Sequence, residues 1–246
     1  MSNGIVVRDC RTLEEFQNCV DLQREIWGEA DLEVVPSTLF VVAAHTGGQV
    51  LGAYDGQKMI GYTLALAAIR DQEPYLHSHM TGVLAGYRNR RVGRMLKLYQ
   101  REDAIRRGIK WIAWTFDPLE LRNAHFNLNC LGAIAREYHP NLYGVTTSPL
   151  HRGWDTDRLL AEWYLDSPHV TAAMGGSPLN PAESSVVIEI PAELSDWQRQ
   201  GSDKVAEVQS RIRAEFSNWF AKGFAAVAVG KRAIGTAYLL APWSRA

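Results

Sequence analysis

The sequence predicts an α/β fold, and three stretches carry that prediction. Leu76 to Leu84 alternates along its length, so that His77, His79, Thr81 and Val83 are expected on one face of a strand. Arg88 to Arg94 is a short basic loop, after which Val92, Met95, Leu96 and Tyr99 recur at helical spacing and place a helix start near Val92. Trp111 to Phe116 is a strongly apolar run that reads as a central strand.

The remaining elements follow in chain order. Ile5 to Cys10 is a first strand, and Thr12 with Glu15 forms a capping box for a helix whose inner face is Phe16, Cys19, Val20, Gln23 and Trp27. Pro36 suits the first turn of a second helix through Leu39, Phe40 and Val41 to about Ala44, which Gly47-Gly48 ends. Val50 to Tyr54, the turn Asp55-Gly56 and Met59 to Ala67 read as a hairpin feeding the strand at His77. After Phe116, Asp117 caps a further helix, Pro118 takes its first position and Glu120 closes a capping box. Leu121, Ala124, Leu128 and Leu131 line its buried side, and Gly132 stops it.

Ala133 to Tyr138 and Leu159 to Leu165 are expected as paired strands, joined by a long Pro-, Gly-, Asn- and Thr-rich connection from His139 to Arg158. A connection of that length is either a substrate-covering segment or surface decoration. Asp166 to Ser185 reads as a linker. Beyond it lie a strand at Val186 to Ile190 and a helix marked by Val205, Val208, Ile212, Phe216 and Trp219. A hairpin of Phe224 to Val229 and Ala233 to Leu240 is expected to turn at Gly230-Lys231. About sixty residues bury little apolar surface, so residues 186–246 are expected to pack on the first domain, residues 1–165, or to complete a homodimer contact.

The junction at Arg88 points to an anion. Open backbone N–H groups at a helix N-terminus, backed by the helix dipole, bind phosphate, and four arginines fall within seven residues there. A basic solvated turn is the plain alternative. The run Val83-Leu84-Ala85-Gly86-Tyr87-Arg88-Asn89-Arg90-Arg91-Val92-Gly93 resembles the pyrophosphate-binding segment of the GNAT superfamily of acyl-CoA-dependent N-acyltransferases, with Arg91 standing where that family has its first glycine. Asn123 to Ala133 is similar to the family's helix that ends in Leu-Gly-Phe.

The resemblance implies a mixed, mainly antiparallel GNAT-like sheet with flanking helices over about two thirds of the chain, followed by a small C-terminal α/β extension. It also implies a cosubstrate, acetyl-CoA by default or another acyl-CoA such as succinyl-CoA, held by Arg88, Asn89, Arg90, Arg91, Val92, Gly93 and Arg94. Thr81 and Gly82 would border the pantetheine, the Val83 N–H would polarise the thioester, and Asn123 is a further candidate contact. The pantetheine arm would enter between the strands of Val83 and Thr115.

Acyl transfer needs a base for the ammonium proton, polarisation of the thioester carbonyl and an acid for the leaving thiolate. His77 and His79, two residues apart with proton affinities near neutrality, are the base candidates, and each is alternatively a hydrogen-bonded strand residue. The pair is similar in placement to the His-x-His of arylalkylamine N-acetyltransferases. The family's usual acid is a tyrosine where this sequence has Leu128. Tyr138, His125 and Tyr143 are the substitutes to consider, beside release of thiolate directly to solvent. Asp155 and Asp157, near the end of the long connection, could bind a substrate ammonium, but read rather as solvated turn residues.

At 246 residues, 46% hydrophobic and 22% charged, the composition is that of an ordinary globular chain, and a net charge of −1 argues against general nucleic-acid binding. No apolar run reaches the length of a membrane span, and the first residues do not read as a signal peptide. Cys10, Cys19 and Cys130 fit a reducing cytoplasm and lack metal-type spacing, and no metal is expected. The functional reading is an N-acyltransferase for a small amine or amino acid. Its alternative is a catalytically degenerate GNAT fold that binds CoA or a partner without turnover.

Overall fold

The computed structural model describes residues 4–28, 34–144, 153–176, 186–232 and 235–244. These form two compact units, and the chain passes from one to the other inside a single strand, between Ala113 and Trp114.

The first unit has strands β1 (Ile5–Asp9), β2 (Gln49–Asp55), β3 (Lys58–Arg70), β4 (Glu73–Val83) and the start of β5 (Trp111–Phe116), adjacent in that order. Its helices are α1 (Leu13–Trp27), α2 (Ser37–His45) and α3 (Val92–Arg106). Neighbouring strands are antiparallel except β4 and β5, whose parallel ladder consists of Leu76↔Ile112 and His77↔Ala113. The Thr12–Glu15 capping box forms as expected, with the Glu15 N–H donating to Thr12 Oγ1 at 3.2 Å and the Thr12 N–H to Glu15 Oε2 at 3.1 Å. Gln23, the polar residue on the buried face of α1, exchanges two hydrogen bonds with the backbone of Val35. Pro36 is the N-cap of α2 rather than its first helical residue.

Pairing register decides which face each β4 residue occupies. Leu64 pairs with Met80 and Ala65 with Ser78, so His79 is one residue too many, a β-bulge. Directly paired residues share a face, which puts Ser78 (opposite Ala65) and Thr81 (opposite Thr63, Oγ1 to Oγ1 3.1 Å) on the same side. That side faces α3, whose Lys97 reaches Ser78 and whose Gln100 carbonyl accepts from Gln49. His77, opposite Leu66, shares the other side with Tyr62, which meets Trp27 of α1 and Phe40 of α2 edge-on. The expected single face of His77, His79, Thr81 and Val83 is therefore divided: the bulge inverts the alternation, and Thr81 and Val83 lie on the α3 side.

The second unit begins with the last residues of β5 and continues through α4 (Leu121–His125), β6 (Ile134–His139), β7 (Arg158–Tyr164), α5 (Pro168–Met174), β8 (Val186–Pro191), α6 (Leu194–Gln200), α7 (Lys204–Ala221), β9 (Phe224–Arg232) and β10 (Gly235–Pro242). Its strand order is β5-β7-β6-β9-β10-β8. The strands after residue 186 therefore continue the sheet from β6, through Ala135↔Ala226. Phe216 of α7 packs on Tyr138 of β6 and Tyr238 of β10, and Trp163, Phe216 and Tyr238 are fully enclosed. A buried aromatic or aliphatic side chain of this kind contributes about 1.5–3 kcal/mol.

Three expectations about the fold of this unit are corrected. Asp117 and Glu120 form no capping box: the Asp117 carboxylate accepts the Leu119 N–H at 2.7 Å in a turn over Pro118, and the helix starts later, at Leu121. The helix ends in a π-helical turn, Phe126–Cys130, before the left-handed Gly132. Gly230 and Lys231 lie inside β9, opposite Ala237 and Thr236, so the hairpin does not turn there; Ala233, expected to begin the next strand, lies outside the described residues. The stretch read as a linker contains α5, capped by Ser167 with Pro168 at its first position, and residues 177–185 of it lie outside the described residues. α6 is a further helix, with no side-chain cap hydrogen bond at its start.

Candidate functional site in the first unit

The chain leaves β4 through a 3₁₀ turn, Ala85–Tyr87, and Arg88 is extended. Asn89 (φ 64°) and Arg91 (φ 63°) are then left-handed, and Val92 opens α3. Arg91 thus takes, as a non-glycine residue, the backbone conformation that glycine adopts without cost. It is the N-cap of α3: its carbonyl accepts the Met95 N–H at 2.9 Å, and no side chain caps the helix. Arg88, Asn89, Arg90 and Arg91 are exposed, Gly93 and Arg94 are half-buried, and Val92 is buried and anchors the turn. Tyr87 donates to Asp55 at 2.9 Å and lies beneath the Arg90 guanidinium, which fixes the loop to the β2–β3 turn. A helix N-terminus without a side-chain cap, with four arginines within seven residues of it, is a donor set suited to a phosphate or pyrophosphate.

Immediately before this loop, β4 presents two imidazoles whose ring centroids are 6.4 Å apart. His77 is half-buried and is held below the usual histidine range by burial first, then by His79 and Lys97. His79 stands on the bulge with an exposed edge, and the buried part of its ring lowers its proton affinity as well. Both rings are thereby biased toward the neutral form that accepts a proton. Gly82 lies on the α1 side, where an added Cβ would come within 2.9 Å of Ile26 Cδ1 and 3.0 Å of Trp27, so helix packing is one reason for its missing side chain.

Beneath the histidines lies a group that the sequence reading missed. Lys97 of α3 is buried, and its ammonium donates to Ser78 Oγ at 2.7 Å and Gln100 Oε1 at 3.0 Å. Burial lowers its pKa to about 7. The available signal was helical spacing: Val92, Leu96, Gln100 and Ala104 follow one another at four-residue intervals, and Lys97 sits beside that stripe.

The other candidates belong to the second unit. Tyr138 donates to Asp157 at 2.5 Å, and burial and that carboxylate push its hydroxyl well above the ordinary tyrosine range. Asp157 is fully buried, accepting also from the Asn141 N–H and from Arg213, which reaches Asp155 too; the expectation of a solvated Asp157 is corrected. Leu128 is buried and offers no proton, while Asn123 and His125 are exposed on α4. Tyr143 shares a 2.7 Å hydrogen bond with Thr115. Of the long connection expected to cover substrate, residues 145–152 lie outside the described residues.

Among the described residues, no three His, Cys, Asp or Glu side chains gather as a metal site, and no helix is long and apolar enough to cross a membrane. No family model matches the chain, and no curated protein does. Solved structures do. The ribosomal-protein-S18-alanine N-acetyltransferase from Escherichia coli matches with a TM-score of 0.53 at 11% identity, over 67% of this chain and 96% of that one. An acetyltransferase of the GNAT family from Streptococcus pneumoniae gives 0.52 at 14% identity, over 65% and 98%. Arabidopsis thaliana Naa50, in complex with a bisubstrate analogue of CoA and an acetylated peptide, gives 0.52 at 13%, over 64% and 97%. The likeness at these identities is one of fold: about two thirds of this chain has the GNAT architecture, to which further C-terminal strands and helices are added.

Proposed function

We propose that the protein is an acyl-CoA-dependent N-acyltransferase, with acetyl as the default acyl group and succinyl as the alternative, acting on a small amine or amino acid. Residues 1–165 would be the acyltransferase part and 186–246 its extension. The observation that carries this reading is the uncapped N-terminus of α3, with Arg91 left-handed at the position where GNAT loops have glycine. Arg91 takes the left-handed conformation open to a glycine, and no side chain caps the backbone N–H groups that follow it. Arg88, Arg90, Arg91 and Arg94, with the N–H groups of Val92 and Gly93, would hold the pyrophosphate.

His77 and His79 supply the base. One of them takes the proton of the substrate ammonium, directly or through a water, and leaves a neutral amine to attack the thioester carbonyl carbon. The Val83 N–H polarises that carbonyl as the tetrahedral intermediate forms and then collapses with loss of thiolate. Tyr138 was a candidate acid for the thiolate, but its hydroxyl is committed to Asp157 and holds its proton tightly. The thiolate accordingly takes its proton from solvent, which a leaving group of pKa near ~8.5 allows. The commitment of Tyr138 to Asp157 favours a second reading, a GNAT fold that binds CoA without turnover.

Calorimetric titration with CoA, acetyl-CoA and succinyl-CoA, followed by a thiol-release assay over a panel of amines, separates the two. Micromolar binding with amine-dependent thiol release that falls in His77→Ala or His79→Ala supports the enzyme. Binding without release for any amine supports the second reading, and no binding at all removes both.

A further inference from the structure

We propose that Lys97 is a positioning residue for His77: from beneath β4 it clamps Ser78 and so fixes the bulge on which the two imidazoles are presented. The proposal rests on the reading of His77 as the base.

Ser78 is the residue between His77 and the bulged His79, and a bulge is a place where a strand re-aims its side chains. A serine at that point would find water on an open sheet; here its hydroxyl is buried and takes a 2.7 Å hydrogen bond from Lys97. The ammonium also donates to Gln100 Oε1 at 3.0 Å, and the Gln100 amide nitrogen is buried without a hydrogen-bond partner. A methionine would fill the same space without the cost of burying an ammonium, so a lysine here calls for a reason beyond packing.

The charge reaches the histidine. The groups that act electrostatically on His77 are His79 on its own strand and Lys97 on α3. Lys97 in turn faces Ser78 of β4 and Gln100 of α3. Further along α3, Asp103 is occupied by Gln49 of β2 and by Arg106 and Arg107. While Lys97 carries its proton, the two positive charges oppose one another and protonation of the imidazole is disfavoured.

The test is NMR titration of histidine-labelled protein without any acyl-CoA, comparing wild type with Lys97→Met and Lys97→Arg. Lys97→Met is expected to strengthen proton binding at His77 by about threefold or more, with a smaller change at His79, and Lys97→Arg to restore the wild-type midpoint. An unchanged His77 midpoint in folded Lys97→Met overturns the proposal. If that variant does not fold, Ser78→Ala serves instead, since it breaks the clamp with the charge in place: shifted His77 and His79 ring signals support the proposal, and unmoved ones overturn it. The acid limb of kcat/KM should move with the midpoint. A shifted midpoint in a protein that acylates no amine would sink the proposed function and leave the coupling standing.

Discussion

Lys97→Met should change the way stability depends on pH, and the size of the change follows from the burial of the ammonium. The amine has a pKa of about 7 in the folded protein against 10.5 for an unperturbed lysine. Its folded-state value is depressed, so between those limits the unfolded chain binds more protons than the folded one, and stability must rise with pH. Linkage puts the penalty for burying Lys97 at about 4 kcal/mol near neutrality and about 2 kcal/mol two pH units higher. Methionine removes that penalty. It also strands Ser78 Oγ and Gln100 Oε1, at about 1–3 kcal/mol each, but that cost does not vary with pH. The difference between the two proteins should therefore move by about 2 kcal/mol in favour of wild type as pH rises from about 7 to about 9. Urea unfolding at several pH values, with the slopes checked for equality, measures it. The tyrosines shifted upward by burial, among them Tyr54, Tyr99, Tyr138 and Tyr238, and the cysteines are common to both proteins. Parallel stability curves would mean that solvent reaches the amine and that the argument for its charge state is wrong.

Two further outcomes follow from backbone geometry. Arg91→Gly relieves a left-handed arginine, and the protein without acyl-CoA should gain about 1 kcal/mol, or roughly 2–4 °C in Tm, by thermal unfolding; a loss would mean that the arginine side chain contributes more contact than the turn costs. Gly132→Ala adds a Cβ at φ 72°, 2.9 Å from both Ala173 Cβ and Val170 Cα of α5, and should destabilise by about 2–4 kcal/mol in urea unfolding, whereas a change below about 1 kcal/mol would show that α5 moves aside easily.

Elements whose signal is local were legible from the sequence. The Thr12–Glu15 box, the apolar stripe of α1 and the helix opening at Val92 depend on residues within a few positions of one another, and each forms as read. What failed was set at longer range. The bulge at His79 comes from how β4 registers against β3, and alternation counted along β4 alone has no access to that register. Gly230-Lys231 has turn chemistry, yet the two residues pair inside β9 with Ala237 and Thr236, a register set by the partner strand rather than by the dipeptide. Asp157 looked like a turn residue because its partners, Tyr138 and Arg213, lie 19 and 56 residues away.

The same distinction bears on the candidate site, because α3 has two jobs that sequence reveals unequally. Its N-terminus announces itself through clustered arginines, since an anion site must expose its charge to be of use. Its inner face holds Lys97, whose influence on His77 depends on being hidden: in water a charge beneath a strand would be screened, and in the interior it is not. If the proposed function holds, one helix would orient an anionic cosubstrate at its end while its flank governs the base on the adjoining strand. A change within the first two turns of α3 should then disturb cosubstrate affinity and the pH profile separately, Arg91 acting on the first and Lys97 on the second. Were both substitutions to alter both properties equally, the helix would be acting only as a rigid support, and neither role could be assigned to its side chains.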